Sequence, residues 1–329
     1  MTTPNHILTG ADAPNPAEGA VSVSRGSPGI SQGLNLGGRE FRVSTVDDRW
    51  AAYGMRSLFG TFLSEDGEEV PKRYQLVIID KVHPITQKRI RMTLVKSPSY
   101  HYVPNEIALK IADKVAEEFD LHPAGEPEYT SDGLGVYKRY ISDRHEPVAV
   151  GDAVAVGFQV KNGVDGMMSH RYVGYTLRLV CTNGMIAPRE RTSFKVGSTD
   201  PVEIEESVRA QLGPLLEGLQ EELEEYREWT RITVNMRLAN ILAAALPKNL
   251  LSTFIEFAPK SKAVVDVKPI TVWEAFNRVT DPLTHQKIEA RHRDWLRVRL
   301  SRAISVWQAV ESGQISEDEA MERLGAAEG

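Results

Sequence analysis

The chain has 329 residues, 41% of them hydrophobic, which allows one large domain or two modest domains with a sizeable buried core. A single cysteine excludes an intramolecular disulfide, and the apolar runs are far shorter than the roughly 20 residues that a membrane helix needs. The net charge of -6 argues against a uniformly cationic surface, and we expect a soluble, cytoplasmic protein.

Four regions follow one another along the chain. Residues 1–35 are rich in proline, glycine and small polar residues without apolar periodicity, which predicts a disordered tail. Short strand patterns with one helix predict an α+β core domain over residues 36–200. A helical region over 201–310 and a short helix and tail over 311–329 complete the chain. The predicted fold class is α+β, with an antiparallel β-sheet and packed helix in the N-terminal half and a mainly helical C-terminal half.

A basic hairpin is predicted early in the core domain. The runs "RYQLVIIDKV" and "KRIRMTLVKS" read as two strands joined around "HPITQ". Alternation places Ile90, Met92 and Leu94 on one face and Arg89 and Arg91 on the other. The hairpin is therefore expected to present a cationic side.

Charge is segregated along the chain. Residues 72–102 hold seven lysines or arginines against one acid, Asp80, whereas residues 203–228 hold nine glutamates. Because salt screens exposed charges over about 8 Å, a ligand responds to the local sign of the charge rather than to the sum.

A helix and several tight turns come next. "VPNEIALKIADKVAEEF" predicts a helix with Asn105 as its N-cap. The dipeptides Asn162-Gly163, Asp165-Gly166 and Asn183-Gly184 favour the positive dihedral angles of hairpin turns. They predict an antiparallel sheet in this part of the chain.

The remaining elements are helical. A leucine stripe from Val202 predicts a long helix, and further helices are expected to end at Pro247, to start at Thr271 and to run through "RHRDWLRVRLSRAISVWQAV". A capping box over Ser316–Glu319 opens the last helix. We interpret the arginine-rich helix as neutralising the glutamate-rich one across a helix–helix contact, with a third basic patch as the alternative.

Signatures of common active sites are absent, because the sequence holds no phosphate loop, dinucleotide-binding fingerprint or nucleophile elbow. Cys181 lies in the apolar stretch "LRLVC", so we interpret it as a packing residue and not as a nucleophile. His285, Glu289 and His292 would share one face of a continuous helix, a spacing that could hold a metal, but the neighbouring arginines disfavour a divalent cation. We predict no metal site.

Two segments, residues 72–102 and 170–195, combine cations with aromatic rings. Cations follow phosphates, and aromatic rings stack on unpaired bases. The ordinary alternative is a solvated sheet face above core aromatics, which the sequence leaves open. The candidate nucleic-acid contacts are Lys88, Arg89, Arg91, Lys96, Tyr100, Tyr102, Arg171, Tyr172, Arg189, Arg191 and Lys195.

The stretch "NGVDGMMSHRYVGYTLRLVCTNGM" resembles a signature of the phage/plasmid-like proteins that carry the domain of unknown function DUF932. In that family an Asn-x-x-Asp-Gly segment precedes a strand ending Arg-x-Val-Cys-x-Asn. The matching residues here are Asn162, Asp165, Gly166, Arg178, Val180, Cys181 and Asn183. Gly163-Val164 and Met167-Met168 depart from the family pattern. The resemblance implies a hairpin-plus-helix core similar to that of single-strand annealing proteins, which form rings around single-stranded DNA.

The signature strand has two predicted faces. One carries Val173, Tyr175, Leu177, Leu179 and Cys181, and the other carries Tyr172, Gly174, Thr176 and Arg178. We interpret the first as the packing face and the second, with the basic rim after the strand, as the functional candidate.

We therefore expect a non-enzymatic protein that binds or anneals single-stranded DNA, with RNA as an alternative, in recombination or a related process of a mobile element. It is expected to form a homo-oligomer and to use no cofactor, membrane or small-molecule substrate. One alternative is a protein-interaction or assembly module. The other is a metal-dependent nuclease using Asp132, Asp143, Asp152 and Asp165.

Overall fold

The computed structural model describes residues 33–64, 66–178, 183–187 and 193–325. Antiparallel sheets fill the N-terminal half and helices most of the C-terminal half, which confirms the predicted α+β class. The strands are β1 Gly33–Leu36, β2 Arg39–Asp47, β3 Met55–Leu63, β4 Glu69–Val82, β5 Arg89–Lys96, β6 Leu121–Pro123, β7 Glu128–Tyr129, β8 Gly135–Ala149, β9 Asp152–Gly163, β10 Arg171–Arg178, β11 Asn183–Ala187, β12 Ser193–Lys195, β13 Ile255–Phe257 and β14 Val264–Val267. The helices are α1 Asn105–Glu118, α2 Pro201–Trp229, α3 Met236–Ala245, α4 Lys248–Leu251, α5 Val272–His285, α6 Ala290–Glu311 and α7 Glu317–Gly325.

Strands β1 to β5 form an antiparallel sheet in sequence order, called here the N-terminal sheet. Its inner face buries Val77, Ile79 and Leu94 against Tyr102 and Val164 from the rest of the molecule. The apolar side predicted for the hairpin is thus the packed side. Residues 1–32 of the predicted tail lie outside the described residues, and β1 already begins at Gly33.

A second antiparallel sheet, the central sheet, has the order β11-β10-β9-β8-β6, with β12 also pairing with β10 and β7 with β8. One face packs on α1 and α2 in the main hydrophobic core, where Tyr172 is wholly buried. The other carries Val173 and Tyr175 and faces the charged N-terminal part of α6.

The functional role expected for the second face of β10 is wrong. Tyr172 and Thr176 are fully buried, because α2 covers this face of the strand as part of the core. Alternation alone could not reveal this, since a strand buried on both faces still alternates in side-chain direction.

The expected N-cap of α1 is also wrong. Asn105 is the first helical residue, and Pro104 holds the cap position without a side-chain hydrogen bond. The Asn105 amide is buried, where its Nδ2 donates to the Leu134 carbonyl at 3.2 Å and its Oδ1 accepts from Asn162 Nδ2 at 2.8 Å. The asparagine joins the helix start to the central sheet instead of capping the helix.

The C-terminal helices follow the sequence closely. The α2 stripe is buried at Leu212, Leu219 and Leu223, and Thr271 opens α5 in a reciprocal capping box with Glu274. One hydrophobic core, made from both the central sheet and these helices, continues from Val103 to Leu324.

The arginine-rich helix α6 has acidic partners that were not expected. Arg291 pairs with Asp165 at 2.9 Å, and Arg293 pairs with Glu128 at 2.7 Å. For these two arginines the predicted contact with the glutamates of α2 is wrong, because the start of α6 lies over the central sheet.

Candidate nucleic-acid interface

The cationic side of the β4–β5 hairpin is formed as predicted. Antiparallel register sets Arg91 opposite Asp80 and Arg89 opposite Val82, and each arginine side chain is 60% exposed. Ile90, Met92 and Leu94 point to the opposite, packed side, so the arginines lie on the outer face of the N-terminal sheet.

A single carboxylate lies between these two cations. Arg89 donates through Nε and Nη2 to the two oxygens of Asp80 at 2.6 and 2.7 Å, and Arg91 Nε lies 3.6 Å from Asp80 Oδ2. Hydrogen bonding from Arg89 holds the pKa of the Asp80 carboxyl below its ordinary value. Two guanidiniums against one carboxylate leave this corner with one excess positive charge.

The same outer face carries a row of aromatic rings. Phe41 contacts Phe62 edge to face with ring centres 5.0 Å apart, and Phe62 contacts Tyr74 in the same way at 5.2 Å. Phe62 and Tyr74 are half-buried, and the Lys72 ammonium lies 5.3 Å from the centre of the Tyr74 ring. In the described part of the chain, the apolar cluster on this face consists of side chains from β1 to β5 alone.

Sequence reasoning missed Phe62 and counted Tyr74 only among the aromatic rings of the basic segment 72–102, although the signal for both was present. Tyr74 shares strand parity with Asp80 on β4, and Asp80 pairs across the sheet with Arg91. Reading β3 and β4 together would have placed Tyr74, Phe62 and the arginines on one face.

The rings predicted to stack on bases lie elsewhere. Tyr172 is wholly buried and stacks on Phe194 with ring centres 5.1 Å apart, and burial raises its pKa. Tyr102 is buried, with its hydroxyl 3.0 Å from Ser57 Oγ. Neither ring has a face free for a base, so the prediction that bases stack on these two tyrosines is wrong. Tyr100 is half-buried and lies beside Tyr102, away from Arg89 and Arg91.

Lys96 lies against the signature loop, defined as residues 162–168. Its ammonium is 5.3 Å from the centre of the Tyr100 ring, and a Cβ placed on Gly166 would come within 2.4 Å of Nζ. Gly166 also has φ +76°, so a side chain there is disfavoured both by the backbone conformation and by the contact with Lys96. Burial lowers the pKa of Lys96. Lys96 therefore packs on the loop on the face opposite Arg89 and Arg91.

The polar residues of the signature hold separate parts of the chain together. Asn162 Nδ2 donates to the Val103 carbonyl and to Asn105 Oδ1, both at 2.8 Å. Asp165 accepts from the Met167 amide and from Arg291 Nη2, both at 2.9 Å. Both residues are buried, so the signature describes how the loop, α1 and α6 are joined.

Two of the other predicted contacts, Arg171 and Lys195, form a second cationic position. Arg171 and Lys195 are cross-strand neighbours on β10 and β12, and Arg171 Nη1 donates to Ser193 Oγ at 3.4 Å. Lys195 is exposed, as is Lys88 in the turn before β5. Cys181, Arg189 and Arg191 lie outside the described residues.

Several residues that were considered as metal or nuclease ligands make other contacts. Helix α5 ends at His285, and Glu289 caps the separate helix α6 by accepting from the His292 amide, so the continuous helical face does not exist. Buried Asp152 accepts from Arg178 and from the Trp273 indole. Among the described residues, no group of three or more metal-ligating side chains is present.

A family model described as a domain of unknown function, DUF932, matches residues 94–307, so the chain belongs to this family, as the signature predicted. The match contains the signature loop and the central sheet, whereas Arg89, Arg91 and the aromatic row precede it. No curated protein and no solved structure gave a significant match. In the ranges described above, no helix combines the length and apolar character needed to cross a bilayer.

Proposed function

We propose that this DUF932 protein binds or anneals single-stranded nucleic acid on the outer face of its N-terminal sheet, as a cytoplasmic, homo-oligomeric protein of a phage, plasmid or other mobile element. The main support for this proposal is that half-buried Phe62 and Tyr74 lie on the same face of the sheet as exposed Arg89 and Arg91. Rings of this kind stack on unpaired bases, while arginines neutralise the phosphates between them.

The ligand is expected to be single-stranded, since the bases of a duplex are stacked on each other and have no free ring faces. Phosphate contacts position a strand without reading its sequence, and aromatic stacking accepts every base. Binding should therefore be strong at low salt and nearly independent of sequence, with single-stranded DNA preferred over duplex DNA and RNA as the second ligand to compare.

The first test is a titration of labelled single-stranded DNA, duplex DNA and RNA with the full chain over a range of salt concentrations. Arg89→Ala with Arg91→Ala should weaken single-strand binding and lower the slope of log affinity against log salt by about 1.4, since each lost contact removes about 0.7. Arg237→Ala with Arg302→Ala removes the same charge from the exposed helical region and should leave binding unchanged. No binding at low salt, or equal weakening by both double variants, would disprove the proposal.

A second test separates stacking from charge. Tyr74→Leu keeps an apolar side chain in the cluster but removes the aromatic ring, and it should lower single-strand affinity by about 1–3 kcal/mol without changing the salt slope. Wild-type affinity in a folded Tyr74→Leu protein would show that bases do not stack there.

A second candidate function is assembly without nucleic acid, and Trp295 is the observation that favours it. This side chain on α6 is 44% exposed, with His292 stacked at 5.5 Å and the Arg299 guanidinium 4.8 Å from the ring centre. Exposed tryptophans are enriched at protein interfaces. If Trp295 joins subunits, light scattering of the nucleic-acid-free protein should show an oligomer that Trp295→Ser dissociates, and a monomeric parent would rule this out.

A further inference from the structure

The face of the central sheet below α6 contains one carboxylate paired with two guanidiniums, and a third guanidinium, that of Arg297, lies within their electrostatic influence. Glu128 on β7 forms an ion pair with Arg139 Nη2 at 2.8 Å and accepts a hydrogen bond from Arg293 Nη1 at 2.7 Å. Arg297, one helical turn after Arg293, is the third member. We call Arg139, Arg293 and Arg297 the arginine cluster.

Arg297 is the least compensated member of the cluster. It is 2% exposed, its Nη2 donates to the neutral Thr284 hydroxyl at 3.2 Å, and its buried Nε has no hydrogen-bond partner in the described part of the chain. Burial lowers the pKa of Arg297 to about 10, and the charge of Arg139 acts in the same direction. At neutral pH the side chain is therefore a buried cation without a carboxylate partner among the described residues.

Nearby acids are already engaged. Asp294 pairs with Lys161 at 2.9 Å and also accepts from Gln159, which in turn accepts from Arg139. Glu128 is thus the one carboxylate paired with the cluster within the described ranges, against three positive charges. Buried excess charge of this kind is unfavourable unless an anion compensates it.

We propose that the arginine cluster is a binding site for a phosphate group and that the Glu128 carboxylate occupies it when no ligand is bound. Planar guanidiniums bind oxyanions through paired hydrogen bonds, and a tetrahedral phosphate has enough oxygens to serve three of them. Arg293 Nε is likewise buried without a partner among the described residues and is a further donor for such a ligand.

Glu128 is well placed to leave the site. It lies on a two-residue strand that pairs only with β8 in the described sheet, and its side chain is 30% exposed. Its displacement by a ligand would break two ion pairs without opening the main ladder of the central sheet. This site is on a different sheet from Arg89 and Arg91, so it does not depend on the proposed function.

The test compares thermal unfolding of the full chain in sodium phosphate and in sodium chloride of equal ionic strength. Phosphate should raise the melting temperature of the parent, because a ligand that binds the folded state stabilises it. Glu128→Gln should bind phosphate at least about tenfold more tightly, since the competing charge is removed. Arg297→Gln should bind at least about tenfold more weakly, and Arg302→Gln on the same helix, whose guanidinium donates to the Arg323 carbonyl, should match the parent.

Equal phosphate stabilisation of Arg297→Gln and Arg302→Gln would overturn the proposal, as would no phosphate effect in both the parent and folded Glu128→Gln. Arg297→Gln removes an uncompensated buried charge and is expected to fold. The comparison of Arg297→Gln with Arg302→Gln can therefore be made even if Glu128→Gln fails to fold. A parallel titration with a single-stranded oligonucleotide identifies the phosphate source. Weaker binding of inorganic phosphate and oligonucleotide by Arg297→Gln indicates a backbone phosphate, whereas loss of inorganic phosphate alone indicates a free anion.

Discussion

The N-terminal sheet and the central sheet use arginine in opposite ways. Arg89 and Arg91 project into solvent around Asp80. Arg178 lies on a buried face, where it is 20% exposed and contacts Asp152, which is 8% exposed. Asp152 also accepts a hydrogen bond from the Trp273 indole at 2.8 Å, joining the central sheet to α5.

The difference shows that burial, and not residue type, decides what an arginine does. In water, ions are well solvated and a surface pair gains little from its attraction, which leaves the arginines available to a ligand. In the interior, each ion has lost its water and depends on its partner, so breaking the pair destabilises the fold. Four predictions test this contrast.

The largest effect is expected at Asp152. Asp152→Ala removes the buried acceptor of both Arg178 and Trp273 and should lower the free energy of unfolding by about 3–5 kcal/mol. Denaturant titration measures it. Asp80→Ala, the matched change beside exposed arginines, should leave the unfolding midpoint nearly unchanged. Similar losses in the two variants would abolish the distinction between the sheets.

A smaller loss is expected in the signature loop. Asn162→Ala leaves the Val103 carbonyl and the Asn105 side chain without the buried donor that joins them, and should cost about 2 kcal/mol. The same denaturant titration measures this change. Because Asn162 lies away from the outer face of the N-terminal sheet, single-strand affinity of the folded variant should equal that of the parent. A specific loss of affinity would move the interface to the loop.

The pH dependence of the unfolding free energy should reveal the protonation of His170, the buried histidine directly before β10. Burial lowers the pKa of His170 to about 4 from 6.5, and neither ring nitrogen has a partner among the described residues. The unfolded chain binds the proton more readily, so the stability that neutral His170 provides is complete above about pH 6.5 and is lost as the pH falls towards 4. The loss between pH 7 and pH 5 should be about 2 kcal/mol.

His170→Phe isolates this contribution from that of the carboxylates. The variant keeps an aromatic ring beside Tyr172 but cannot take up a proton. Its unfolding free energy should fall less between pH 7 and pH 5 than that of the parent. Parallel pH profiles would show that His170 is not buried in solution.

The smallest effect on stability is expected at the hairpin. Arg89→Ala with Arg91→Ala removes exposed side chains whose shared partner Asp80 remains solvated, so the unfolding midpoint should not change measurably. Nucleic-acid affinity is expected to change instead. A clearly destabilised double variant would mean that these arginines stabilise the fold and are not available to bind a ligand.

The candidate site was only partly predictable from the sequence. Arg89 and Arg91 were placed on the correct face because strand alternation is a local property, fixed by the backbone of β5 itself. Tyr102 and Tyr172 were misjudged because their burial depends on side chains distant in sequence, such as Ser57 for Tyr102 and Phe194 for Tyr172. Tyr74 was not selected as a site residue, because its position on the same face as Arg91 follows from the register between β4 and β5.

The sequence by itself determined the elements whose signals lie within a few residues. Apolar spacing determined the buried stripe of α2, and the helix start predicted at Thr271 is the N-cap of α5, since backbone periodicity and end hydrogen bonds are local. Only the tertiary structure decided that Asn105 binds Asn162, that Arg291 pairs with Asp165 and that Arg297 is buried beside other arginines. A polar side chain finds its partner in space, after the chain has folded, and burial then sets the strength of the interaction.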